Sequence, residues 1–176
     1  MEARLKTVRV LWLALVMTNV IYIGMISSHL AVSEDAAPEH LPALLGAFSL
    51  GLAILSIVMP ARGFDAGLRN MEVNIIEAPG EVVGSFRESA PVTRVIAEPE
   101  RAMIAAFSRY QTPFILGMAL AESVSLFGFV LGFMRAAPIV YMPFFGVGIA
   151  LMLSKFPTIG YIARAVERAK NAKLML

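Results

Sequence analysis

A chain of 176 residues that is 58% hydrophobic and 16% charged, with a mean hydropathy of +0.73, is too apolar for an ordinary soluble domain and reads as an integral membrane protein. The absence of cysteine excludes a disulfide framework and a thiolate metal site. No His/Asp/Glu cluster has metal-ligand spacing, so neither a metal nor a cofactor is expected, and the net charge of +2 says less than where the charges lie.

In chain order, Arg4, Lys6 and Arg9 precede a first apolar run over residues 10–30. The run exceeds the ~7–15 residues of a secretory signal core and has no clean cleavage site, so it reads as an uncleaved span. The loop "SEDAAPEH" follows, with three acids and no Lys or Arg. A second apolar run covers residues 41–59 and is closed by Pro60. A third covers 112–134 and a fourth 136–153, joined by the tight turn "RAAP" with Arg135. Each run is close to the ~20 residues a helix needs to cross a bilayer, and none alternates as a β-barrel strand does.

Residues 61–111, between the second and third runs, hold six arginines and seven acids. "FDAGLRNMEVNIIEA" has helix-like periodicity, and "PERAMIAAFSRY" starts with Pro99 at a first helical position. The segment reads as a solvated helical collar that also offers a surface to a cytoplasmic protein partner. The tail "YIARAVERAKNAKLML" is a basic amphipathic helix, expected to lie on the membrane surface or to extend the fourth span. Fourteen of the fifteen basic residues fall in the N-terminus, in 61–111 or after the fourth span. The positive-inside rule then places all three regions in the cytoplasm. No aromatic-basic interleaving points to nucleic acid, and no phosphate loop, nucleophile elbow or HExxH motif points to an enzyme.

Two stripes of small residues stand out. In the third run Gly117, Ala121, Ser125, Gly128 and Gly132 recur at spacings of three and four, and in the second Gly46, Ser49, Ala53 and Ser56 do so. Small stripes let helix backbones approach closely in lipid, so the two runs are expected to pair as a tight hairpin. Glu122 lies about 100° round the helix from the centre of its stripe. Ser123 and Ser125 are nearby hydroxyl partners, and no basic residue lies in the centre of a run to pair with the acid. A carboxyl in that medium favours its neutral form. Two roles stand side by side: a proton or ion site, and a neutral hydrogen-bonding group between helices. Asn19 in the first run reads as a similar interhelical amide.

The stretch "ILGMALAESVSLFGFVL" resembles the second helix of the proteolipid, or c subunit, of rotary ATP synthases. "VIAEPER" is similar to that family's polar loop, and "LLGAFSLGLAIL" to its Gly/Ala-rich first helix. The resemblance covers the second and third runs. It implies an outward-running carboxylate helix after a cytoplasmic loop, a ring of hairpins, and Glu122 as the ion-binding acid with Ser123 and Ser125 in support. Gly46, Gly51, Gly117, Ala121, Gly128 and Gly132 would pack the hairpin. Family members that bind sodium carry a Gln on the first helix and a Tyr five residues after the acid. Here the second run has no Gln and the Tyr position is Phe127, so a proton is the implied ion. Ala97-Glu98-Pro99 replaces the family's Arg-Gln-Pro, the loop is far longer, and two extra runs flank the hairpin.

The expected fold is therefore all-α: a polytopic protein with four transmembrane helices, a proteolipid-like central hairpin and a cytoplasmic helical segment. Residues 1–60 hold the first two spans, 61–111 the collar, 112–157 the last two spans and 158–176 the basic helix. The expected protein is not an enzyme. It sits in a bacterial-type inner or energy-coupling membrane with both termini cytoplasmic, and forms a homo-oligomeric ring in the lipid bilayer. The extra spans and the altered loop favour a scaffold that keeps a protonatable Glu122. The alternative is a proton-translocating rotor subunit.

Overall fold

A computed structural model describes residues 2–29, 38–79 and 92–174. The chain is mostly helical. Helices α1 (Glu2–His29), α2 (Leu41–Arg69) and α3 (Pro99–Phe133) are each long and apolar enough to cross a membrane. Helices α4 (Pro138–Ser154) and α5 (Ile159–Lys170) make a fourth candidate if they count as one broken span. The loop that carries most of "SEDAAPEH", and residues 80–91, lie outside the described residues.

Residue contacts divide the chain into two compact units. The first comprises Met1–Ala61 and Pro113–Pro157, the second Arg62–Thr112 and Thr158–Leu176. α2 and α3 each run through the boundary between them, past Pro60 and Pro113.

In the second unit the structure departs from the helical collar expected for 61–111. α2 is not closed by Pro60 but runs on to Arg69. An interior proline costs a helix about 3 kcal/mol. Beyond it, Phe64 and Leu68 are one turn apart and buried, 2% and 0% exposed. Burial of each such side chain is worth roughly 1.5–3 kcal/mol, enough to offset the break. The next stretch pairs as a ribbon, strand β1 (Ile75–Pro79) antiparallel to β2 (Val92–Ile96), with Ile75 opposite Ile96. Ile75, Ile76, Val92, Thr93, Val95 and Ile96 are β-branched, and that crowding favours a strand over a helix. The fold is thus not purely α. Lys173 lies along the free edge of β2: its N–H donates to the Arg94 carbonyl (2.8 Å) and its carbonyl accepts from Ile96 N–H (3.1 Å).

α5 falls within the basic tail for which a membrane-surface or span-extending helix is expected. Thr158 caps its N-terminus by accepting from Tyr161 N–H at 3.3 Å, and Asn171 closes it in the left-handed conformation that asparagine tolerates. Its apolar face is spent on protein: Ile162 and Val166 are fully buried. Phe64, Tyr110 and Tyr161 form an aromatic group in the same unit, with ring centroids 5.3 to 6.1 Å apart. Ile159 and Tyr161 near the start of α5 are exposed, as are Arg164 and Arg168.

In the first unit α3 is the central element. In its most apolar window 44% of residues are buried, against 11% for α1 and for α2. α3 ends in a Schellman turn: Ala136 N–H reaches the Leu131 carbonyl (3.0 Å) and Arg135 N–H the Gly132 carbonyl (3.1 Å). Arg135 takes the left-handed position of that turn, φ 61°, where glycine is usual. Pro138 then opens α4 at a position that needs no N–H donor. At this end Ile26, Leu131, Tyr141 and Phe145 form a buried cluster with Leu41 and Leu45 against it. Toward the opposite end of α4, Trp12 Nε1–H donates to the Met152 carbonyl (2.9 Å) and its ring meets Phe156 edge-on at 5.0 Å. The Arg9 guanidinium lies 5.5 Å from the same Phe156 ring.

Candidate functional site

The small residues of α3 occupy a stripe roughly 80° wide, because steps of three and four residues do not close on a 3.6-residue turn. Successive heights on that stripe meet different neighbours. A side chain at Gly117 would come within 2.8 Å of the Pro60 ring and 3.3 Å of the Ser56 carbonyl, both on α2. At Gly128 it would lie 2.8 Å from Phe144 Cβ and 3.0 Å from the Tyr141 carbonyl, on α4. At Gly132 it would strike Ile26 of α1. Ala121 is fully buried, and Ser125 faces Gly148 of α4 so closely that any side chain there would collide with its hydroxyl. The stripe expected to serve one hairpin therefore seats α1, α2 and α4 around one helix. Gly46 and Gly51 of α2 stay open: a Cβ at either would have nothing within 4 Å.

Glu122 lies on the flank of this packed face and is half-buried. It shares that flank with Phe129, two turns on. The Tyr22 ring of α1 packs against Phe129 at 4.9 Å, and the Tyr22 phenol lies within electrostatic reach of Glu122. The structure thus sets the Tyr22 ring on the flank of α3 that carries the acid. The two serines are not brought to it. Ser123 donates back to the Ala119 carbonyl (2.9 Å), and Ser125 is buried against α4 with no hydrogen-bond partner for its hydroxyl.

Further polar groups sit among the apolar helices. Asn19 is fully buried, and its amide donates to the Leu15 carbonyl (3.2 Å) and the Met152 sulfur (3.4 Å) while its carbonyl has no partner. Lys155, just past α4, turns inward: Nζ donates to Ser56 Oγ (3.4 Å) and to the Leu151 carbonyl (3.3 Å). A cation at a helix C-terminus is favoured by the carbonyls left unpaired there. Neither Tyr22 nor Lys155 stands out in the sequence as a site residue. Tyr22 lies one turn from Asn19 on the same side of α1, and that spacing is the one signal that points to it. Among the described residues no three His, Cys, Asp or Glu side chains gather as a metal site. Compared with protein-family models, with curated proteins and with solved structures, the chain matches none.

Proposed function

We propose that this chain is a multi-pass membrane scaffold, built as a homo-oligomeric ring, in which Glu122 is a neutral carboxyl that joins helices. In this reading residues 61–111 and both termini are cytoplasmic in a bacterial-type inner or energy-coupling membrane, and 61–111 offers a surface to a cytoplasmic partner. The observation that carries it is the burial contrast: 44% of the most apolar window of α3 is buried by its neighbours, whereas α1 and α2 bury only 11% of theirs within one copy. Helices so bare need lipid around them, and their faces are free to take further helices. The division of labour along α3 supports a structural role, since Gly117, Gly128 and Gly132 are used inside one copy.

A second reading, proton translocation by a rotor-like subunit, is favoured by one observation: Tyr22 packs on Phe129, so a second titratable group shares the flank of α3 that carries Glu122. Proteoliposomes separate the two. Both readings expect a neutral, membrane-embedded Glu122 to react with a hydrophobic carbodiimide at neutral pH, and Glu122→Gln to abolish that labelling. The scaffold reading expects no proton flux above protein-free vesicles in either form, with assembly intact in Glu122→Gln. A flux in the wild type that Glu122→Gln removes would replace it with the second reading.

A further inference from the structure

Arg9 is the last charge before the apolar run of α1, and Phe156 follows the end of α4 by two residues. The two meet: the Arg9 guanidinium lies 5.5 Å from the centroid of the Phe156 ring. Trp12 meets that ring edge-on at 5.0 Å and is itself tied to α4 through the Met152 carbonyl. Phe156 is still 46% exposed, and Arg9 is exposed. A guanidinium attracted to a ring face spends none of its N–H donors on that contact. Arg9 has no salt bridge, since the one among the described residues joins Glu98 and Arg101. Its neighbours three and four residues away on α1 are Leu5, Lys6, Trp12 and Leu13, so no acid is in reach along the helix and Lys6 adds like charge. Aromatic rings and a cation at the ends of two spans mark the level of the lipid phosphates.

We propose that Arg9, seated on Phe156, binds the phosphate of an anionic phospholipid whose acyl chains lie along the exposed side of α1. Leu13, Met17 and Val20 continue from Arg9 at spacings of four, four and three, and are 50%, 51% and 59% exposed. From Arg9 to Val20 is about 16 Å of helix, close to the ~15 Å depth of one leaflet's hydrocarbon. The apolar strip alone would suit a lipid or another helix. The cation at its end decides for the lipid, because it calls for an anion at headgroup level and phosphate is present there around every copy. A second copy of this chain brings Arg4, Lys6, Arg9 and Lys155 to that level against Glu2, which is net repulsion. Arginine also suits phosphate by its shape, since its planar fork donates two parallel hydrogen bonds.

The site rests on the membrane-spanning part of the reading above and not on the ring, and the test separates them. Trp12 is the one tryptophan of the chain and touches the site, so its fluorescence reports the lipid held there. The full chain is reconstituted in phosphatidylcholine vesicles with increasing shares of either brominated phosphatidylglycerol or brominated phosphatidylcholine, which quench tryptophan on contact. The expected result is that phosphatidylglycerol quenches at an about fivefold lower share, the worth of one cation at an anionic membrane surface. Arg9→Gln should bring the two lipids level, and Arg4→Gln should leave most of the preference. Equal quenching in the wild type overturns the site. A preference that Arg4→Gln and Arg9→Gln lower alike is diffuse attraction and overturns it too. So does one that inorganic phosphate abolishes while chloride of the same ionic strength does not, which marks a site for the free anion. If the wild type shows no preference and Arg9→Gln lowers the native mass of the particle, Arg9 faces an acid of another chain instead. A chain that an alkaline wash strips from the vesicles overturns the membrane-spanning reading, whereas a retained chain without the preference overturns the site alone.

Discussion

Gly128→Leu is expected to lower the thermal midpoint of the protein in detergent, whereas Gly51→Leu is not. Even a methyl group at Gly128 would lie 2.8 Å from Phe144 Cβ and 3.0 Å from the Tyr141 carbonyl. Both belong to the base of α4, so no flexible chain end can swing aside. Two effects compete. Replacing a helical glycine gains up to about 1 kcal/mol of backbone entropy. Overpacking a close contact costs about 1–3 kcal/mol, and leucine brings three further carbons beyond the one that already collides. The cost wins for leucine. Gly51→Leu, with nothing within 4 Å, keeps only the gain. Thermal denaturation of the pair in one detergent measures the difference directly. Equal midpoints would show that α3 and α4 do not approach this closely.

Glu122→Arg is expected to cost about 2.5–3.5 kcal/mol of folded or inserted protein, the charge penalty near a bilayer centre. Glu122→Gln is expected to change stability by less than about 1 kcal/mol. The reason is that a neutral carboxyl and a carboxamide fill the same space and each retain a donor and an acceptor. The half-buried flank position offers no acid to which an arginine could pair: Glu98 and Arg101 form the one salt bridge among the described residues, and it lies at the start of α3, with Glu98 just before the helix. The measurement is the insertion yield and the denaturation midpoint of the two variants. A well-inserted, stable Glu122→Arg would mean that the flank of α3 is wet.

Some of this is legible in the sequence and some is not. Apolar length alone marks α1, α2 and the apolar part of α3, because the medium demands a fixed count of residues. Pro99 and Pro138 mark helix starts, since only there is a missing N–H harmless. The continuation of α2 past Pro60 is not legible, because Phe64 and Leu68 owe their effect to burial in a unit assembled from distant segments. The ribbon from β1 to β2 is hidden for the same reason: Ile75 and Ile76 fit a short helical pattern as well as a strand until Val92–Ile96 supplies a partner. At the site, the spacing of Glu122 from its stripe is sequence arithmetic. The approach of Tyr22 is not, because it depends on which face of α1 meets Phe129. Nor does spacing show that Ser123 turns back to Ala119 while Ser49 is left without a partner.

The bareness of α1 and α2 is the ground for a ring of copies, and the copy number in a membrane tests it most directly. The protein is extracted with its surrounding lipid, without detergent exchange, and its native mass is compared with the 19.0 kDa of one chain. A single species of several copies is expected, retained in Glu122→Gln. A particle that holds one chain at every loading would contradict the ring.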